Sequence, residues 1–83
     1  MNPPAKFLPN GDTVMVVEFG EEIDLDISRR VTALYAGVNA LELAGITDLV
    51  PTFRSLAIHY DPEIVSFAGL ENTLAKILPD LPI

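Results

Sequence analysis

Only two stretches of this chain repeat with the period of an amphipathic helix, and that small number limits the folds open to it. From Ile27, the apolar residues Val31, Leu34, Val38 and Leu41 follow at steps of four, three, four and three, which sets them along one side of a helix. Ser28, Arg29, Arg30 and Thr32 lie mostly away from that stripe. Asp24 or Asp26 can cap its start, since a carboxylate accepts from the unpaired first-turn amides. Gly37 weakens the interior by about 1 kcal/mol relative to alanine, which marks it as a place of close packing. Gly45 is placed to end the connection to the next element. A second stripe, Phe67, Leu70, Leu74, Ile77 and Leu78, follows Ser66, a suitable cap.

The remaining apolar runs suit strands. Asn10-Gly11 predicts a tight type I′ hairpin turn, because both residues tolerate positive φ. It would join Phe7-Leu8 to the β-rich run Val14 to Phe19, which Gly20 closes. Pro9 lacks a ladder donor, so the first strand should be short and at a sheet edge. Two more strands, Ile46 to Val50 and Phe53 to Tyr60, flank Pro51-Thr52, and Asp61-Pro62 stops the second.

The order β-β-α-β-β-α gives an α+β chain. Two helices can cover one face of a four-stranded sheet, so the expected architecture is a two-layer sandwich. Its uncovered face should carry Phe53, Ser55, Ala57 and His59, beside either Val14, Val16 and Glu18 or Met15, Val17 and Phe19. Either set is more apolar than a solvated face, as if something else covers it. A single small domain is expected over residues 1–78, with 79–83 starting a linker, since Pro79 and Pro82 interrupt a helix.

Composition excludes more than it assigns. The chain of 83 residues is 49% apolar and 20% charged, which is globular rather than disordered. Five Lys plus Arg against twelve Asp plus Glu give −7, which argues against nucleic-acid binding. There is no cysteine, hence no thiol nucleophile and no sulfur-ligated zinc. No stretch reaches the roughly 20 apolar residues of a membrane span, and residues 1–6 have no signal-peptide pattern, so a cytoplasmic setting is expected. Asp12, Glu18, Glu21, Glu22, Asp24 and Asp26 cluster, which fits a solvated helix start better than a metal site. Asp24-Leu25-Asp26 lacks the glycine and terminal bidentate acid of a calcium loop.

Few residues could carry chemistry. His59 is the single histidine, and Ser55 lies four residues away, about 13 Å along a strand and beyond hydrogen-bond reach. Asp61 is close enough in sequence to orient the imidazole, and Arg54 could clamp an anion. Arg54, His59 and Asp61 are therefore weak catalytic candidates, and no metal or cofactor site is visible. Phe53, Ser55, Ala57 and His59 stand as interface candidates.

Two segments together resemble a known family. Leu8-Pro9-Asn10-Gly11-Asp12, the apolar strand after it and Glu18-Phe19-Gly20 resemble its opening. Val50-Pro51-Thr52-Phe53-Arg54-Ser55-Leu56 through Tyr60-Asp61-Pro62 resembles its second hallmark, and Ile27-Ser28-Arg29-Arg30-Val31 fits between. The family is the group of allophanate hydrolase subunit 1 and the 5-oxoprolinase B-subunit, with the Kip-type histidine kinase inhibitor and the carboxyltransferase subdomains of urea amidolyases. The resemblance implies a DCoH-like N-terminal domain that leads into a larger cyclophilin-like domain. It also implies an ATP-dependent amidohydrolase complex with a partner hydrolase subunit, in which ATP is used by the parent complex and not bound here. The isolated domain would then be a docking module without turnover. A kinase-inhibitor role is the alternative, with a histidine kinase as partner, and a homodimer remains open.

Overall fold

The computed structural model describes residues 5–20 and 25–81. In chain order the elements are β1 (Lys6–Pro9), β2 (Val14–Glu18), α1 (Leu25–Leu41), β3 (Ile46–Pro51), β4 (Ser55–Tyr60) and α2 (Phe67–Ile77), followed by a single 3-10 turn, Leu78–Asp80. The strands form one antiparallel sheet in the order β1-β2-β4-β3. The expected two-layer α+β order is therefore the observed one, and β1 lies at an edge as Pro9 requires.

Alternation along the strands decides which side meets the helices. Met15, Val17 and Phe19 of the β2 run and Leu56, Ile58 and Tyr60 of β4 are buried, and they join Val31, Leu34 and Val38 of α1 and Leu70 and Leu74 of α2 in one cluster. Both helices thus lie on the same side of the sheet. Each fully buried side chain of this size contributes about 1.5–3 kcal/mol of apolar transfer energy. Among the described residues no charged side chain is buried and no buried side-chain nitrogen or oxygen lacks a hydrogen-bond partner.

The helix caps differ from one another. Ser66 caps α2, its hydroxyl accepting from the Gly69 amide at 3.0 Å. Asp26 is not the cap of α1; it lies in the first turn and pairs weakly with Arg29, 3.7 Å away and exposed. Asp24, the other candidate cap, lies outside the described residues, as do Glu21 and Glu22 of the acidic cluster. Leu41, expected on the α1 stripe, is 47% exposed, because the helix ends there and Glu42 turns the chain away at φ 48°.

Two turns depart from expectation. Asn10-Gly11 does not form a two-residue type I′ turn. The Asn10 amide donates to the Val14 carbonyl at 2.9 Å and only Gly11 has positive φ, so Asp12 and Thr13 belong to the loop as well. The physical reason is that the Thr13 carbonyl is taken by the Tyr60 amide at 2.9 Å, which ties the loop to β4. β3 runs through Pro51 and the β3–β4 turn spans Thr52–Ser55 rather than Pro51-Thr52, so Phe53 is not part of β4.

The chain also stays packed beyond residue 78. Pro79 sits at the start of the 3-10 turn, where its missing amide costs nothing, and Leu81 packs against the core. Gly45 is held at φ +91°, and a Cβ there would sit 2.9 Å from Val65 Cγ1 and 3.1 Å from Ile64 Cγ2. Gly45→Ala should therefore lower stability by about 2 kcal/mol, a fall of about 8–16 °C in Tm for a domain of this size. Thermal unfolding followed by circular dichroism measures this, and an unchanged Tm would contradict the packing described.

Candidate functional site

The side of the sheet away from the helices is set by register. Val14, Val16 and Glu18 of β2 stand opposite His59, Ala57 and Ser55 of β4. Of the two sets expected on the open face, it is thus Val14, Val16 and Glu18, because Met15, Val17 and Phe19 fill the core. Glu18 was the available signal, since a carboxylate cannot be buried without a partner.

The outer strands complete the face. Leu8 of β1 pairs with Val16, and Val50 of β3 pairs with Ala57. An apolar row, Leu8–Val16–Ala57–Val50, therefore crosses all four strands over about 14 Å. Its outer members are 40% and 43% exposed, and Val16 and Ala57 are half-buried. Lys6, Glu18 and Ser55 border it on one side; Val14, His59 and Asp48 border it on the other. Leu8, Val50, Lys6 and Asp48 were missed from sequence, because only the pairing of β1 and β3 with the central strands places them there.

Ser55, Ala57 and His59 lie on this face as expected. Phe53 does not; it projects from the tip of the β3–β4 turn and is 68% exposed. That turn is tightly built. The Thr52 amide donates to the Ser55 carbonyl at 2.8 Å. The Thr52 hydroxyl oxygen accepts from the Ser55 amide at 3.1 Å and lies 2.8 Å from the Ser55 hydroxyl. The Arg54 carbonyl accepts from the Phe19 amide at 2.9 Å.

The three weak catalytic candidates are not brought together. Arg54 lies in the turn at one end of β4 and His59 near the other, about 16 Å along the strand. The Asp61 carboxylate accepts from the Glu63 amide at 2.9 Å, so it serves the turn after β4 rather than the imidazole. Among the described residues no group of three or more potential ligands could hold a metal ion, and no helix is long and apolar enough to cross a membrane. What the open face offers chemically is apolar contact bordered by charge.

The hallmark residues perform packing tasks. Phe19 is buried beneath Arg30, whose guanidinium lies 4.6 Å from the ring centroid. Gly20 leaves room for Ile27, whose Cδ1 would be 2.6 Å from a Cβ at that position.

The family described as "Carboxyltransferase domain, subdomain C and D" matches residues 5–82. This chain belongs to that family. It is 32% identical over 75 residues to a urea amidolyase of Lachancea kluyveri, covering 89% of this chain and 4% of the relative. It is 35% identical over 51 residues to the 5-oxoprolinase B-subunit of Bacillus subtilis (strain 168), covering 61% of this chain and 21% of that relative. The chain thus spans a small part of each relative. Among solved structures, the PH0987 protein of Pyrococcus horikoshii superposes with TM-score 0.83 at 31% identity, over 90% of this chain and 35% of its own. The N-terminal domain of the histidine kinase inhibitor KipI from Bacillus subtilis superposes with TM-score 0.79 at 24% identity, over 93% and 86%, a likeness of fold.

For this carboxyltransferase-family domain, Thr52→Val should cost about 1 kcal/mol. It should speed amide exchange at Arg54 and Ser55 while Ile58 stays protected. NMR hydrogen exchange checks this, and equal exchange in both variants would remove the turn-locking role given to Thr52.

Proposed function

We propose that this chain is the N-terminal domain of a subunit of an ATP-dependent amidohydrolase complex, of the 5-oxoprolinase or allophanate hydrolase type, and that its own task is docking. The observation that carries the docking role is the apolar row Leu8–Val16–Ala57–Val50 on a sheet face that neither helix covers. The family match and the 5-oxoprolinase relative support the enzyme setting.

Size and edges favour a particular kind of contact. Four strands of about five residues make a face of roughly 19 by 17 Å, well below the 800 Å² or so that each partner of a free-standing complex buries. Such a face suits an assembly whose parts are also held by other contacts or by a shared chain. Edge-to-edge pairing is disfavoured. β1 is four residues long with Pro9 and Lys6, and β3 carries an irregularity between Ile46 and Asp48 and ends at Pro51. The Asp48 carboxylate also occupies the Leu49 amide at 2.9 Å.

Arg54, His59 and Asp61 are dispersed, so turnover is assigned to other parts of the complex. The kinase-inhibitor alternative is supported by fold likeness alone, and under the docking reading the chain leaves autophosphorylation of a purified histidine kinase unchanged. Reconstitution with the remaining hydrolase subunits, ATP and 5-oxoproline tests the main reading. Glutamate should form when a full-length subunit carrying this domain is combined with those subunits, and not from this chain alone. Ala57→Asp, which sets a charge at the centre of the row, should reduce complex formation at least tenfold in sizing chromatography while keeping the helical signal. Phe53→Asp, off the face, should not. Full assembly by Ala57→Asp would end the docking assignment.

A further inference from the structure

The loop between β1 and β2 holds a pair of residues whose covalent chemistry the fold leaves open. Asn10 is followed by Gly11, both are exposed, and a Cβ at position 11 would meet nothing within 4 Å. Two bonds fix the ends of this loop. The Asn10 amide donates to the Val14 carbonyl, and the Thr13 carbonyl accepts from the Tyr60 amide, each at 2.9 Å. Among the described residues neither the Gly11 amide nor the Asn10 carboxamide has a hydrogen-bond partner. The other asparagines differ. Asn39 and Asn72 lie inside α1 and α2, where the backbone amide after each is held by the helix. Asn2 precedes Pro3, whose nitrogen has no hydrogen to lose.

We propose that Asn10 is a site of spontaneous deamidation and isomerisation, and the first asparagine of this chain to convert. The nucleophile is the Gly11 backbone nitrogen, and with no side chain on residue 11 nothing obstructs its approach to the Asn10 carboxamide. A bond forms from that nitrogen to Asn10 Cγ, the Cγ–Nδ2 bond breaks, the Gly11 N–H proton is lost and Nδ2 leaves as ammonia. Water then opens the resulting succinimide ring. Attack at Cγ gives aspartate; attack at the main-chain carbonyl gives isoaspartate, with the backbone routed through Cγ and longer by one methylene. Nothing is oxidised or reduced, and water is the sole co-reactant. Either product adds a negative charge to a chain already at −7. Isoaspartate also lengthens the segment between the Asn10 amide and the Thr13 carbonyl, and so displaces the acceptor that the Tyr60 amide uses.

The modification acts at one corner of the sheet, and its test is separate from that of docking. The folded chain, incubated in warm neutral buffer and then digested, should gain one mass unit in the peptide containing Asn10. That peptide should also accept a methyl group from a protein isoaspartyl methyltransferase. Peptides containing Asn39 and Asn72 should stay unchanged over the same period. Asn10→Gln, whose longer side chain must close a larger ring, should lower the conversion at least tenfold, and Gly11→Ala should do the same by crowding the nitrogen. In the converted protein the Tyr60 amide should exchange faster while Ile58 stays protected. An unmodified Asn10, conversion at Asn39 or Asn72 ahead of it, or a rate equal to the parent's in Asn10→Gln would overturn the assignment. Unchanged exchange at Tyr60 would overturn the effect given to isoaspartate on the loop.

Discussion

Val31, Leu34 and Val38 of α1, with Leu70 and Leu74 of α2, press on Met15, Val17, Phe19, Leu56, Ile58 and Tyr60 from one side of the sheet. This single apolar layer holds the domain together. Cysteine is absent, and the Asp26–Arg29 ion pair is exposed, where such pairs contribute little. Because helix coverage is one-sided, every second residue of β2 and β4 is left facing outward. The open face is thus a direct product of how the core is made, not a separate feature added to it.

The sheet handles its exposed surfaces unequally. Its edges carry the devices that discourage strand addition: a short β1 with proline and lysine, and a β3 with an irregularity, an amide engaged by Asp48 and a terminal proline. Its open face carries no such protection at the centre, where Val16 and Ala57 adjoin. A small acidic domain that blocks its edges and leaves an apolar row on its face is suited to face-on contact. Phe53 and Arg54 lie in the turn before β4, outside the strand pairing that builds that face.

The residues that make the family resemblance specific prove to be architectural. Phe19 and Gly20 shape the meeting of β2 with α1, and Thr52 and Ser55 lock the β3–β4 turn. Arg54, His59 and Asp61 occupy three different environments along β4 and its ends. A motif can therefore be distinctive because the fold needs it, and its presence is no sign that its polar members act together in chemistry.

Much of the fold was legible in the sequence, because helical and strand periodicities are local and survive in any window of the chain. The two helix stripes, the β-β-α-β-β-α order, the Ser66 cap, the edge position of β1 and the close packing at Gly37 all follow from neighbouring residues. Four matters needed the folded chain. Leu8 and Val50 join the open face only through pairing with strands distant in sequence. The Asn10–Thr13 loop is shaped by its bond to Tyr60, and Phe53 leaves β4 because Thr52 and Ser55 close the turn ahead of it. Leu81 finds Gly37 only once α1 and the 3-10 turn after α2 are folded onto the same side of the sheet. Periodicity states which side of an element is apolar; which side of the sheet receives the helices, and what the other side then gathers, is settled by packing between residues far apart in the chain.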